Sequence, residues 1–196
     1  MTIEIVRDHF AGHQRTVTLV AEQLSPLIVQ VSEQISAALH LGNKVLLVGN
    51  GGSAADAQHF AAELVGRFLL ERRALPAIAL TTDTSILTAV GNDYGFDEIF
   101  ARQVEALAAA GDLVLGISTS GHSANVIKAL AAAQKKGCQT VGLLGRDGGR
   151  IAGMVDLALT VPSQETPRIQ EAHQLIIHII CDLVEKDMFR EEEQRS

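Results

Sequence analysis

Apolar side chains in the first forty residues recur at the spacing of one helical face. The first set lies mostly at steps of three, four or seven residues: Ile3, Val6, Phe10, Val17, Val20 and Leu24. Pro26 interrupts the pattern, and a second set repeats it: Leu27, Val31, Ile35 and Leu39. This spacing is typical of amphipathic helices, and proline commonly ends one. Residues 1–42 are therefore predicted to form two N-terminal helices.

Beyond residue 43, short apolar runs alternate with longer segments of helical periodicity. The runs are KVLLVG, ALPAIALT, DLVLGIS, QTVGLLG and VDLALTVP, at residues 44–49, 74–81, 112–118, 139–145 and 155–162. The helical segments between them are residues 54–70, 85–109 with a break at 91–95, 124–136 and 149–153. Such alternation indicates an α/β fold with a doubly wound parallel sheet of five strands flanked by helices.

The last long segment, residues 167–190, is apolar on almost every side of a helix. An all-round apolar helix must be buried, and a chain of 196 residues offers limited room for it, which predicts a homo-oligomer. Residues 191–196 form a charged tail that we expect to fray. We predict one domain over residues 1–196, with residues 43–190 forming the α/β core and the C-terminal helix.

Composition excludes several classes of protein. The side chains are 47% hydrophobic and 20% charged, the formal net charge is −7, and no basic run is present that could follow a nucleic-acid backbone. Cys138 and Cys181 lie far apart without CxxC spacing, which predicts a reducing, cytoplasmic compartment. The N-terminus lacks a secretory apolar region, and no apolar stretch of about 18 residues is present to span a bilayer.

Two loops after predicted strands have the composition of phosphate-binding sites. Residues 49–53 (GNGGS) combine glycines, which allow close backbone approach, with the N-terminus of a helix, which favours an anion. Residues 118–123 (STSGHS) carry four hydroxyl groups before the next helix, which Ser123 could cap. Ligands of open α/β sheets bind at the carboxyl ends of strands, so the pair of loops predicts a sugar phosphate. The alternative for the second loop is an ordinary capped turn.

A dinucleotide site is the alternative for the first loop, because Gly49-x-Gly51-x-x-Ala54 fits a relaxed GxGxxG/A pattern. That fold needs an acidic residue about 20 positions further on, at the end of a second strand. Glu71 ends a predicted helix instead, and Asp83 lies 34 residues beyond Gly49. The dinucleotide interpretation is therefore disfavoured.

Four polar residues are candidates for proton transfer or metal binding. His59 and Glu63 lie four apart and so share one helical face, although a solvated surface pair is the common alternative. Gln170 and His178 interrupt the apolar last helix and border one groove. Together these side chains would suit a borderline divalent ion such as zinc, and a carboxylate beside an imidazole can move a proton between adjacent sugar carbons. His173 and Gln174 we interpret as polar positions between subunits.

The chain resembles the sugar isomerase (SIS) domain family over nearly its whole length. Five segments carry the resemblance: VGNGGSAADAQHFAAELVGRF, LTAVGNDYGFDEIF, GDLVLGISTSGHSANVIKAL, GRDGGRIAGMVD and RIQEAHQLIIHIICDLVEK. The resemblance implies a three-layer flavodoxin-like or Rossmann-like sandwich with extra N-terminal helices. It also implies isomerisation of sedoheptulose 7-phosphate to D-glycero-D-manno-heptose 7-phosphate, on the way to the activated heptoses of bacterial surface polysaccharides such as the lipopolysaccharide core.

The resemblance also implies roles for particular residues. Glu63 and His178 match the acid/base pair of the family. One zinc ion per subunit would be held by His59, Glu63, Gln170 and His178. Contacts to the substrate, including its phosphate, match Asn50, Gly51, Gly52, Ser53, Glu63, Asn92, Asp93, Ser118, Thr119, Ser120, Ser123 and Gln170. Members are homotetramers whose active sites draw on neighbouring subunits.

A sister group with the same fold is the alternative. Its members bind a replication initiator and do not isomerise heptose, and they lack the carboxylate and the imidazole that this chain has at Glu63 and His178. This chain departs from the isomerase pattern at His122, where the isomerases usually have asparagine. The sequence therefore favours the isomerase over a non-catalytic regulatory protein.

Overall fold

A computed structural model describes residues 2–193, and for residues 190–193 the backbone only. Within this range the strands are β1 (Val45–Gly49), β2 (Ala77–Ala79), β3 (Leu113–Ser118), β4 (Gln139–Gly145) and β5 (Leu157–Val161). The α-helices are α1 (Ile3–His40), α2 (Gly52–Val65), α3 (Thr84–Tyr94), α4 (Ala101–Leu107), α5 (Ala124–Lys135), α6 (Gly149–Ala152) and α7 (Thr166–Glu193), and a 3-10 helix spans Phe96–Glu98.

The five strands form one parallel sheet in the order β2-β1-β3-β4-β5. This is the flavodoxin-like strand order. Each strand centres on one of the five apolar runs, because strands covered on both faces bury most of their side chains, and the central strands β1 and β3 are buried throughout. The predicted five-stranded parallel α/β fold is confirmed.

Helices cover both faces of the sheet, so the fold has three layers. Alternate residues of β1 point to opposite faces: Val45 and Leu47 pack toward α1, α2 and α7, whereas Leu46 and Val48 pack toward α4, α5 and α6. The apolar core therefore lies in two halves, one on each side of the sheet.

The N-terminal region forms one helix, α1, and the prediction of two helices is wrong. Pro26 lies inside α1. A proline removes one backbone hydrogen bond, but a continuous buried stripe on both sides of it, including Val20, Leu24, Ile28 and Val31, keeps the helix packed on α7 and the sheet. Tertiary packing thus outweighs the local effect of the proline.

Two other helix boundaries differ from the prediction. Helix α2 ends at Val65 and not at residue 70, because the N–H groups of Phe68, Leu69 and Leu70 donate to the Glu185 carboxylate of α7. In α3 the predicted break at 91–95 occurs only at Gly95, whose φ of 94° ends the helix. The glycine at position 91 is tolerated because a single helical glycine costs only about 1 kcal/mol.

Helix α7 packs against α1 and α2, and the chain itself buries most of its apolar residues. Ile176, Ile177 and Ile180 are fully buried, so they do not need a partner subunit, contrary to the argument from sequence. Leu175 and Ile179 remain exposed at 36% each. The charged tail predicted for residues 191–196 lies outside the side chains that the structure describes. No helix among the described residues is long and apolar enough to cross a membrane.

His173 lies in the interior of α7 and not at a surface between subunits. Its Nε2 donates to the carbonyl of Leu144 at 2.9 Å, and its Nδ1 has no hydrogen-bond partner among the described residues. Burial lowers the pKa of His173 from 6.5 to about 4, because desolvation disfavours the charged ring more than the hydrogen bond to the Leu144 carbonyl favours it. The folded protein therefore holds this imidazole neutral.

We expect the free energy of unfolding to fall as the pH decreases from 6.5 to 4. In this range the unfolded chain binds a proton at His173 that the folded chain does not bind, and the loss reaches about 3 kcal/mol. Chemical denaturation across this range would measure it, with His173→Gln expected to flatten the slope. An unchanged slope in His173→Gln would contradict the prediction.

Candidate active site

The two predicted phosphate loops meet where the connections of the sheet diverge. After β1 the chain enters α2 on one face, and after the neighbouring β3 it enters α5 on the other face. The carboxyl ends of the two strands are in register, with Gly49 beside Ile117. A crevice opens at such a switch point, and ligands of open α/β folds bind there.

The glycine loop presents free backbone to this crevice. Gly51 and Gly52 are exposed, whereas Ser53 is buried in the first turn of α2. The side-chain amide of Gln170 from α7 lies directly against Gly52, where a Cβ atom would collide with it. A side chain at position 52 would have to displace this amide, and α7 reaches the loop through Gln170.

The hydroxyl loop is held by its own side chains. The Oγ atoms of Ser118 and Ser123 are 3.0 Å apart, and Ser118 Oγ accepts the N–H of Gly121 at 3.1 Å. Ser120 Oγ accepts the N–H of His122 at 3.2 Å, so its own hydrogen is free to point elsewhere. Gly121 has a φ of 66° and packs against the backbone of residues 148–149, which keeps the turn tight. The His122 side chain is exposed.

Ser123 occupies the N-cap position of α5, but its side chain bonds to Ser118 and makes no cap hydrogen bond. The predicted capping role of Ser123 is therefore wrong. The Ser123 hydroxyl therefore stays with the other hydroxyl groups of the loop and does not bond to the backbone of α5.

Asn125 connects the two loops, and the sequence reasoning missed it. Its side-chain amide exchanges two hydrogen bonds of 2.8 Å with the amide of Asn50, and its Oδ1 also accepts the N–H of Val126. Asn125 is buried at the start of α5. The signal in the sequence that could have identified Asn125 is an asparagine in the first turn of the helix that follows the hydroxyl loop.

His59, Glu63 and His178 lie together and form what we call the histidine–glutamate group. The Nε2 atoms of His59 and His178 are 2.8 Å apart, and His59 Nε2 lies 3.5 Å from Glu63 Oε1. One nitrogen of each imidazole and one carboxylate oxygen lie within 4.8 Å of one another, with all three residues half-buried. Two imidazoles and a carboxylate are the donor set of many catalytic zinc sites.

The seam between α2 and α7 carries a further polar contact beside this group. Gln174 donates through Nε2 to the Asp56 carboxylate, so Gln174 pairs within the chain and not between subunits. Burial raises the pKa of the Asp56 carboxyl, although the Gln174 hydrogen bond and nearby His59 oppose the shift. The second oxygen of Asp56 is buried without a hydrogen-bond partner among the described residues.

Three predicted site residues lie apart from the histidine–glutamate group. Gln170 contacts Gly52, which precedes His59 by seven residues, or about 10 Å along α2. Asn92 and Asp93 are exposed at the end of α3, where the amide of Asn92 donates to Asp93 at 2.8 Å. Their assignment to the site stays a prediction.

The two acidic residues considered as partners for a dinucleotide, Asp83 and Glu71, make local contacts in the structure. Asp83 caps α3 by accepting the N–H of Ile86 at 2.9 Å, and Glu71 is exposed, with Arg67 at 3.6 Å. Each of these carboxylates therefore has a partner close to it in the chain. The geometry agrees with the interpretation as a sugar-phosphate site.

Comparison with known proteins agrees with this class of fold and site. The SIS domain family model matches residues 8–145. A relative from Geotalea daltonii named phosphoheptose isomerase is 61% identical over 189 residues, which are 96% of this chain and 98% of that protein. The chain belongs to the SIS domain family, and within it to the phosphoheptose isomerase group.

Solved structures of such enzymes have the same fold. Phosphoheptose isomerase GmhA from Neisseria gonorrhoeae is 50% identical, with a TM-score of 0.90 over 93% of this chain and 98% of that chain. A phosphoheptose isomerase from Francisella tularensis is 40% identical, with a TM-score of 0.92 over 95% of this chain and 100% of that chain. The family and the enzyme class predicted from the sequence, an isomerase, are confirmed.

Asn125→Ala is expected to lower the free energy of unfolding by about 1–3 kcal/mol, because it leaves buried polar groups around Asn50 and Val126 unpaired. The matched control is Asn92→Ala, which removes an exposed amide and should change stability by less than about 0.5 kcal/mol. Urea denaturation would compare them. Equal effects of the two variants would show that the Asn50–Asn125 pair does not stabilise the crevice.

Proposed function

We propose that this protein converts sedoheptulose 7-phosphate to D-glycero-D-manno-heptose 7-phosphate by proton transfer through an enediol, in the cytoplasm. The proposal rests above all on the histidine–glutamate group, which brings a carboxylate and two imidazoles together between α2 and α7, and the glycine loop lies at the start of that same α2. The names of the relatives support the same substrate class. The product would supply the activated heptose of bacterial surface polysaccharides, including the lipopolysaccharide core.

The two loops would bind opposite parts of the substrate. The hydroxyls and amides of the loop at 118–123 suit the phosphate, with Ser118, Thr119, Ser120 and Ser123 as ligands. The glycine loop with Asn50, Gly51, Gly52 and Ser53 would face the sugar, and Gln170, already against Gly52, would contact it too. The polar residues are fixed before the substrate arrives, which lowers the entropic cost of binding.

Glu63 and His178 would carry the protons. The Glu63 carboxylate removes a proton from C1 of the open-chain ketose, and the C2 carbonyl oxygen gains a proton to give the enediol. The hydroxyl at C1 then loses its proton while C2 gains one, which leaves the aldose. His178, 2.8 Å from His59 between the ring nitrogens, would move the protons between the two oxygens.

A zinc ion fits the donor atoms of the histidine–glutamate group. His59, Glu63 and His178 would hold the ion, and Gln170, which lies against Gly52 about 10 Å along α2 from His59, is the further ligand that the family resemblance implies. When bound, zinc supplies polarisation of the carbonyl and hydroxyl oxygens of the sugar. The chain's own residues still bind the phosphate and move the protons.

We also propose that four copies of the chain assemble, with each site at an interface between subunits. Leu175 and Ile179 flank His178 on α7 and are each 36% exposed, which leaves an apolar surface beside the site. Asn92 and Asp93 lie at the exposed end of α3 and could reach the site of a neighbouring subunit. The assembly would complete the substrate contacts that one chain lacks.

Glu63→Gln is expected to reduce turnover of sedoheptulose 7-phosphate by about 10²–10⁴-fold, because the amide cannot accept the C1 proton. An NMR time course that follows the aldose anomeric signals, with and without added zinc, would measure the loss. Glu105→Gln, which changes an exposed carboxylate on α4, is the matched control. A kcat for Glu63→Gln near that of the wild type would remove this residue from the mechanism.

Ser120→Ala is expected to raise KM for the sugar phosphate about tenfold with little change in kcat, because one hydrogen bond to a charged group is lost before and during the reaction. Ser25→Ala on α1 serves as control, since that hydroxyl bonds only to the Ala21 carbonyl. Steady-state kinetics of the wild type and both variants would measure KM and kcat. If KM stays the same, Ser120 does not hold the phosphate.

Replacing Leu175 and Ile179 by glutamate is expected to shift a tetramer to smaller species, because charges would enter an apolar interface. Sedimentation velocity of the wild type and the double variant would show it. Leu41→Glu, at a side chain that is 80% exposed, is the control and should sediment like the wild type. A wild type that sediments as a monomer would contradict the proposed assembly.

A further inference from the structure

Residues 66–72, the first part of the connection between α2 and β2, are attached to α7 by an ion pair with no exposed charge. Arg72 Nε donates to Glu185 Oε1 at 2.8 Å, and the two side chains are 0% and 1% exposed. Burying two charges costs much of what their attraction contributes, and an apolar pair of similar volume is often as stable. Stability alone therefore gives a weak reason for an ion pair at this position.

Glu185 uses its whole carboxylate to shape this segment. Oε1 accepts the N–H of Phe68 at 2.7 Å, and Oε2 accepts those of Leu69 and Leu70 at 2.8 and 2.9 Å. Burial by itself would raise the pKa of the Glu185 carboxyl, but these three N–H groups and Arg72 hold the pKa below its ordinary value. The carboxylate therefore stays charged and fixed.

Arg72 extends the same network to the backbone of Glu63. Its Nη2 donates to the Glu63 carbonyl and its Nη1 to the Leu64 carbonyl, both at 2.8 Å. These carbonyls belong to the last turn of α2, where no helical N–H follows, and the Leu64 carbonyl also accepts the N–H of Leu75 at 3.0 Å. The guanidinium therefore fixes the end of the helix that carries His59 and Glu63.

The network also reaches His178. The ring of Phe68, whose N–H donates to Glu185, packs on the His178 ring with 5.5 Å between the centroids. His178 and Glu185 lie seven residues apart, two turns of α7, and so on the same side of the helix. One buried ion pair thus contacts the backbone of Glu63 directly and the ring of His178 through Phe68.

We propose that Arg72 and Glu185 are positioning residues that hold the end of α2 against α7 and thereby set the distances within the histidine–glutamate group. The inference rests on the proposed function of that group. Arg72 and Glu185 touch neither substrate nor reacting atoms. They act through the Glu63 carbonyl and the Phe68 ring, as outer partners of metal ligands commonly do.

Arg72→Lys tests the proposal while keeping the buried positive charge. A lysine can pair with Glu185 but has no planar fork to donate to Glu63 and Leu64 as well. We expect affinity for Co²⁺, measured by competition with a chromophoric chelator, to fall about tenfold or more, and kcat to fall by a similar factor. KM for sedoheptulose 7-phosphate should change by less than about twofold, since the loop at 118–123 lies outside the network.

Glu185→Gln is a second test of the proposal, and Asp112→Asn is its matched control. Asp112 is also a buried carboxylate that accepts two backbone N–H groups and pairs with a cation, Lys44, at 2.6 Å. It lies at the amino end of β3, opposite the site. Both variants should lower the melting temperature, but only Glu185→Gln should weaken Co²⁺ binding.

Two results would overturn the proposal. Either Arg72→Lys binds Co²⁺ and turns over substrate like the wild type, or Asp112→Asn weakens Co²⁺ binding as much as Glu185→Gln, which would make the effect one of general stability. Failure of the proposed function has a different signature. A wild type that binds Co²⁺ but does not isomerise sedoheptulose 7-phosphate contradicts the reaction, and the Co²⁺ comparison still decides the role of Arg72 and Glu185.

Discussion

The contact between α2 and α7 is the constraint on which the site depends. The two helices meet along a line of polar groups at helical spacing: Gly52 with Gln170, Asp56 with Gln174, His59 with His178, and the segment after α2 with Glu185. Buried polar groups are costly unless they are paired. A shift of α7 by one turn would unpair all these contacts at once, so the line defines a single register for the two helices.

The sheet supplies the second constraint. Because β1 and β3 are neighbours whose following helices lie on opposite faces, the chain leaves a crevice between the glycine loop and the hydroxyl loop. The reciprocal amide pair of Asn50 and Asn125 spans that crevice at its base. The glycine loop leads directly into α2, the helix that carries His59 and Glu63, and α7 brings His178 to the same helix from the other end of the sequence.

Two wrongly predicted helix boundaries, at Pro26 and at the end of α2, have one physical origin. Periodicity located all five strands, because side chains buried on both faces form uninterrupted apolar runs. It failed where a distant contact outweighed a local preference: α1 continues through Pro26 because its buried stripe packs on α7, and α2 stops at Val65 because Glu185 takes the next N–H groups. Neither contact is visible in a window of neighbouring residues.

The sequence by itself determined the α/β class, the two loops and the pairing of His59 with Glu63, since each depends on residues close together in the chain. Polar interruptions of the apolar last helix made Gln170 and His178 candidates, and the resemblance of whole segments added the family and the roles of these residues. The tertiary structure alone decided that Asn125 joins the loops, that Asp56 and Gln174 pair, and that Arg72 and Glu185 fasten the helices. These contacts join residues tens to more than a hundred positions apart, and a buried polar residue shows its partner only when the chain is folded.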